Sequence, residues 1–211
     1  MNNSNLLVLL HSLEQNPTAW QDQVTALPAS TRAVAPWLKG LRPDQSVNFS
    51  LNDAADEVLG QLNVYGVEQL QICGLAMGAA VALATAIRSP QSVSHLVLVN
   101  GLVYLPKLAV KAQSLALKMI PEKTLRERSV SKQKALSAVS YLSQIDFRSG
   151  LGSVTAKTLV VAGGKDKAHQ SELLARGIPG ARLEVIPDAG HFAPMEAPAE
   201  FNKLLFDFLA S

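Results

Sequence analysis

Short apolar runs alternate with stretches of helical periodicity along most of the chain. The run Leu6–Leu10 is apolar at every position, which is typical of a strand buried on both faces of a parallel sheet. The sequence predicts five further strands, at 32–35, 69–73, 95–100, 158–162 and 182–186. It predicts helices at 17–27, 50–64, 77–88 and 196–209, where apolar residues recur every three or four positions.

This alternation predicts an α/β fold, with a mostly parallel sheet of about six strands and helices on both faces. The stretch 102–157 does not follow this alternation of strands and helices, because it has helical patterns and no predicted strand. We therefore expect residues 1–211 to form a single domain, with 102–157 as an inserted, reduced helical cap.

Composition excludes several classes of protein. An apolar content of 48% and a charged content of 17% rule out a disordered chain. Cys73 is the only cysteine, so no disulfide framework can form within the chain, and a net charge of +2 gives no case for nucleic-acid binding. The segment 1–5 is polar without a basic region, and the apolar run after it is too short to span a bilayer. We expect a cytoplasmic protein without stable membrane insertion.

The small net charge conceals an uneven distribution. Residues 102–157 contain ten Lys and Arg against three Asp and Glu, so this segment carries +7 and the remainder −5. Four polar residues share one face of a predicted helix within it: Lys107, Lys111, Ser114 and Lys118. One interpretation is a solvated face over an apolar cap interior. The alternative is that the cap attracts an acidic substrate, an acidic carrier protein or a membrane surface.

The most informative motif is a tight turn between a predicted strand and an Ala-rich helix. Gly74 and Gly78 flank Ala76 at its apex. Small residues are needed on both sides of such an apex, because the apex residue is held in a strained conformation. The helix that begins at Met77 then points the positive end of its dipole at the apex. This pattern is typical of a nucleophile elbow, but Ala76 stands where a serine is expected.

An acid and a histidine follow in the order that this chemistry requires. Asp166 comes just after the predicted strand 158–162, and His191 just after 182–186. Catalytic groups of open parallel sheets gather at the carboxyl ends of the strands. The order of nucleophile position, acid and histidine is that of an α/β-hydrolase triad.

These motifs resemble those of the α/β-hydrolase superfamily over nearly the whole chain. The segment Cys73–Gly78 is similar to the elbow of lactonases of the 3-oxoadipate enol-lactone type. The resemblance implies that position 76 holds the attacking hydroxyl, that His191 acts as general base and then general acid, and that Asp166 orients it. No metal or other cofactor is implied.

The resemblance also implies an oxyanion hole and substrate contacts. The hole would use the backbone amides of Leu13 and Met77. Ser12 stands where the family usually has a glycine, and we expect substrate contacts at His11, Ser12 and Leu102.

Ala76 leaves several hypotheses open, since a methyl group cannot attack a carbonyl carbon. The chain is either a hydrolase of small carboxylic esters, thioesters or lactones whose nucleophile has been replaced, or a natural ligand-binding protein on the same fold. A third hypothesis is C–C hydrolase or lyase chemistry. In each case we expect the chain as written to be inactive, or nearly so, by the serine mechanism.

Overall fold

A computed structural model describes residues 6–42, 46–127, 131–166 and 169–211, apart from the side chains of Arg126, Glu127 and Leu142. The N-terminal segment 1–5 and part of the basic charge of the cap therefore lie outside the described residues. No helix within the described ranges combines the length and apolar character needed to span a bilayer.

The six strands form one sheet that is parallel throughout. In chain order they are β1 (Leu6–Leu10), β2 (Arg32–Val34), β3 (Leu70–Leu75), β4 (Val93–Val99), β5 (Lys157–Gly163) and β6 (Arg182–Ile186). Their spatial order is β2-β1-β3-β4-β5-β6. In β1, Leu6, Val8 and Leu10 belong to one hydrophobic core, while Leu7 and Leu9 belong to a second core. The prediction of a parallel α/β sheet is confirmed, and β1 is buried on both faces as predicted.

Helices cover both faces of the sheet. In chain order they are α1 (Gln21–Thr25, preceded by a 3₁₀ turn at Pro17–Trp20), α2 (Leu51–Tyr65), α3 (Met77–Arg88), α4 (Lys107–Met119), α5 (Glu122–Glu127), α6 (Lys132–Leu142), α7 (His169–Gly177), α8 (Ala193–Glu196) and α9 (Pro198–Leu209). Residues of α2, α3 and α7 pack in one core, and residues of α8 and α9 in the other, with Trp20.

Several predicted boundaries differ from the structure by one or more residues, and three of the differences bear on the site or the cap. The helix predicted at 196–209 is two helices, since Ala197 is non-helical (φ −138°, ψ 61°) before Pro198, and a residue that precedes proline is disfavoured in the helical region. Asn100, predicted as the end of a strand, lies beyond β4 with φ +44°. The inserted segment predicted at 102–157 contains α4–α6. It ends one residue earlier than predicted, because Lys157 is the first residue of β5.

Candidate active site

The turn after β3 has the geometry that the sequence predicts for an elbow. Ala76 has φ +51° and ψ −103°, a region that L-residues rarely adopt. Its N–H donates to the carbonyl of Val99 on β4 at 2.9 Å, and α3 begins at the next residue. Ala76 therefore presents its methyl group at the carboxyl edge of the sheet, in front of the first turn of a helix.

Two glycines make this turn possible through close backbone approach. A Cβ on Gly78 would lie 2.1 Å from the carbonyl oxygen of Leu10, and a Cβ on Gly74 would lie 2.3 Å from that of Gly78. Both distances are far shorter than any real non-bonded contact between a carbon and an oxygen atom. The start of α3 is thus pressed against the end of β1, which places Met77 beside the segment that follows β1.

His191 and Asp166 meet at the carboxyl ends of β5 and β6. The Nδ1 atom of His191 lies 2.6 Å from Oδ2 of Asp166. Both side chains are partly exposed, and both line an open cavity of about 450 Å³ that also contains Ala76. The structure therefore brings together the three residues that the sequence places in one constellation.

The segment after β1 supplies another wall of this cavity. Ser12, Leu13 and Met77 all line it, as does Leu102 from the segment after β4. The Ser12 hydroxyl is buried and has no hydrogen-bond partner among the described residues. Glu14, which follows Leu13, also lines the cavity and carries a carboxylate, whereas the side chains of Leu13 and Leu102 offer a ligand no hydrogen bond.

His11, which we expected to contact substrate, is not part of the cavity wall. It is fully buried, its Nδ1 lies 2.8 Å from the carbonyl oxygen of Ser12, and its Nε2 accepts the N–H of Leu38 at 3.1 Å. Backbone groups occupy both ring nitrogens, so the imidazole fastens the loop after β1 to the segment at Leu38. Burial lowers the pKa of His11 to about 4.

The lowered pKa of His11 makes stability depend on pH. In the unfolded chain its pKa is near 6.5, so the unfolded state binds the proton first as pH falls. The free energy of unfolding should therefore decline between pH 6.5 and about 4, and this group accounts for about 3 kcal/mol of that decline. Urea unfolding at several pH values measures it. His11→Gln should flatten the slope, and equal slopes in the variant and the original chain would contradict the assignment.

Sequence reasoning missed the two residues that hold the backbone around His191. Asn100 donates from Nδ2 to the carbonyls of Gly190 (3.0 Å) and His191 (2.8 Å), while its Oδ1 accepts the N–H of Gly163. Glu196 accepts the N–H groups of Gly190 at 2.6 Å and Phe192 at 3.0 Å. Asn100 thus ties the ends of β4 and β5 to the histidine loop, and Glu196 closes that loop on itself.

The cavity wall carries no positive side chain among the described residues. Its charged members are Glu14, Asp166 and, when protonated, His191. Amides at Asn100, Gln113 and Gln170 supply further polarity, and Leu13, Leu102, Leu105 and Phe192 supply apolar surface. The described wall therefore offers no Lys or Arg to pair with the acidic substrate that the sequence analysis considered for the basic cap. Nor do the described residues group three His, Cys, Asp or Glu side chains in a way that could hold a metal ion.

The family comparison decides the classification. Residues 7–204 match the sequence profile of the Alpha/beta hydrolase family. The chain belongs to this family. Among its relatives is 3-oxoadipate enol-lactonase 1 of Acinetobacter baylyi, which is 25% identical across 99% of this chain and 90% of that protein.

Two further similarities extend the comparison within the alpha/beta hydrolase family. The 2-hydroxy-6-oxononadienedioate/2-hydroxy-6-oxononatrienedioate hydrolase of Cupriavidus pinatubonensis is 26% identical over 72% of this chain and 66% of that protein. The crystal structure of the enol-lactonase from Burkholderia xenovorans superposes with a TM-score of 0.87 at 21% identity, covering 100% of this chain and 93% of that one. This alpha/beta hydrolase thus shares its fold with hydrolases over its whole length.

Proposed function

We propose that the cavity takes small, neutral carboxylic esters, thioesters or lactones, and that the site is built to hydrolyse them through an acyl-enzyme at position 76. The observation that carries the proposal is the His191–Asp166 pair, at 2.6 Å, in the same cavity as an elbow residue with φ +51°. In this chain the elbow residue is alanine, so the nucleophile is missing and the acyl-enzyme cannot form.

With serine at position 76, each neighbouring group has a defined task. His191 would take the hydroxyl proton while the oxygen attacks the carbonyl carbon, and Asp166 would hold the imidazole through Nδ1. The amides of Met77 and Leu13 would donate to the developing oxyanion. The imidazolium would then protonate the leaving alcohol, thiol or ring oxygen, and a water molecule activated by His191 would release the acid.

The charge of the cavity wall supports a neutral substrate. The described wall has no Lys or Arg that would attract a carboxylate, and two of its members, Glu14 and Asp166, are acidic. A neutral acyl group meets instead the apolar surface of Leu13, Leu102 and Leu105. Small lactones and short-chain esters match these properties better than anionic ones do.

The methyl group of Ala76 supports a second candidate function, in which the same cavity binds such a ligand without turning it over. One experiment separates the two. The Ala76→Ser variant and the chain as it stands are assayed with p-nitrophenyl acetate, and binding of γ-butyrolactone is followed by the shift in melting temperature. A gain of hydrolysis in the variant supports the hydrolase design, whereas ligand binding without any gain supports the receptor.

Glu196 provides a test of how the histidine is positioned. In the Ala76→Ser background, Glu196→Gln should lower kcat by about 10- to 100-fold and leave KM nearly unchanged. The reason is that an amide oxygen can replace only one carboxylate oxygen, so the N–H of either Gly190 or Phe192 loses its partner and His191 shifts. Glu200→Gln, on an exposed position of α9, is the matched control. A loss of kcat shared by both variants, or a rise in KM alone, would count against this role.

A further inference from the structure

The outer surface of α4 is an exposed apolar face. Leu108, Leu115 and Met119 are 79%, 62% and 78% exposed. Their spacing places them within about 40° of one another around the helix axis. The exposed residues Ala109, Ala112 and Ala116 extend this face. Only the opposite side of α4 packs inward, through Val110 and Leu117. We call these six exposed residues the apolar face of α4.

A row of lysines borders this face along its full length. Lys107, Lys111 and Lys118 are all exposed and lie within about 40° around the axis, next to Leu115. Little negative charge opposes them nearby. Within the described part of α4–α6, Glu122 is the only acidic side chain, and Asp146, which follows, is paired with Arg148.

One edge of α4 reaches the cavity wall. Gln113 of α4, on the side of the apolar face away from the lysine row, lines the cavity, and so does Leu105 just before the helix. A surface that covers the apolar face of α4 would therefore lie beside a helix that forms part of this wall.

We infer that α4 docks on an anionic lipid surface, with its apolar face among the headgroups and acyl chains and its lysine row on the lipid phosphates. A helix with large apolar side chains beside lysines, and with low overall hydrophobicity, is suited to lie in the plane of such an interface. The long lysine stems can follow the apolar face while their ammonium groups reach the headgroups. This docking is independent of the residue at position 76.

Two other occupants fit the surface less well. An antiparallel pair of α4 helices from two copies of the chain would bring two lysine rows of the same sign together. An acidic amphipathic helix normally seats its apolar side chains in a groove, whereas α4 presents a single convex ridge. A deformable, negatively charged lipid surface can bury the apolar ridge and pair its phosphates with the lysine row.

Vesicle binding by the full-length chain tests the inference. Co-sedimentation is measured with vesicles of phosphatidylcholine alone, and with vesicles that contain about one third phosphatidylglycerol. The chain should bind the anionic vesicles and lose that binding at high salt. Replacing Lys107, Lys111 and Lys118 by Gln should weaken binding by about 100-fold, at about fivefold for each lysine near the surface. Replacing Leu108, Leu115 and Met119 by Gln should weaken it by at least about tenfold.

Matched controls use exposed residues of the same types elsewhere. Val64→Gln on α2 removes an apolar side chain that is 73% exposed, and Lys203→Gln on α9 removes one positive charge. Neither should alter vesicle binding. The inference is overturned if the chain binds neither vesicle, or binds both equally. It is also overturned if the α4 and control variants bind alike, or if the Leu108, Leu115 and Met119 replacements dissociate a dimer seen by light scattering.

Discussion

Replacing Ala76 by serine should raise kcat/KM for p-nitrophenyl acetate by at least about 10³-fold. Loss of the nucleophile from an intact triad costs about 10⁶ in kcat, and a restored site should recover a large part of that factor. The backbone at position 76 already has φ +51°, and His191 is already held against Asp166. The added oxygen therefore enters a site whose other parts are in place.

Controls for this gain come from the same cavity. His191→Ala in the serine background should abolish it, and Asp166→Asn should reduce it strongly, because the imidazole would lose the partner of its Nδ1. An ester that carries a carboxylate should be hydrolysed no faster than its neutral counterpart, since the described cavity wall has no Lys or Arg to bind the carboxylate. If the folded Ala76→Ser variant binds γ-butyrolactone yet hydrolyses no ester faster than the original chain, the hydrolase proposal fails and the receptor remains.

Gly78→Ala should lower the free energy of unfolding by more than about 3 kcal/mol, which corresponds to a fall in Tm of about 10 °C. The new Cβ would lie 2.1 Å from the carbonyl oxygen of Leu10 and 2.6 Å from its carbonyl carbon. Both atoms belong to the backbone of β1, a fully buried strand, so they cannot move aside without shifting the sheet. Thermal unfolding followed by circular dichroism measures the effect.

The same substitution at Gly60 is the matched control. Gly60 lies inside α2, and a Cβ there would meet nothing within 4 Å. Alanine should therefore stabilise the protein by about 0.5–1 kcal/mol, since it favours the helix more than glycine does. If Gly78→Ala were as stable as the original chain, α3 could not be pressed against β1 as closely as the structure shows.

Local patterns in the sequence predict the sheet and the central part of the site. The apolar run of β1 predicts a strand buried on both faces, and its residues do divide between two cores. The spacing of Gly74, Ala76 and Gly78 predicts a tight turn with a strained apex, and Ala76 has a positive φ. Both features can be predicted because each depends on residues that are neighbours in sequence.

Contacts between distant loops could not be predicted in the same way. Asn100 joins the histidine loop across 90 positions of sequence, and nothing in its immediate neighbours indicates this. His11 was expected at the substrate, but its partner Leu38 is 27 positions away, and burial of the ring depends on the path of that segment. The charge of the cavity wall is likewise fixed only when loops from separate strands assemble.

The close packing around the elbow fixes the turn independently of the residue at its apex. The positive φ at position 76 is imposed by Gly74, Gly78 and β1, so the turn is maintained whether or not its apex carries a hydroxyl group. Alanine and serine codons can differ by a single base. On the proposed function, one nucleotide substitution separates this scaffold from the complete site, so turnover could be lost or regained without a change of fold.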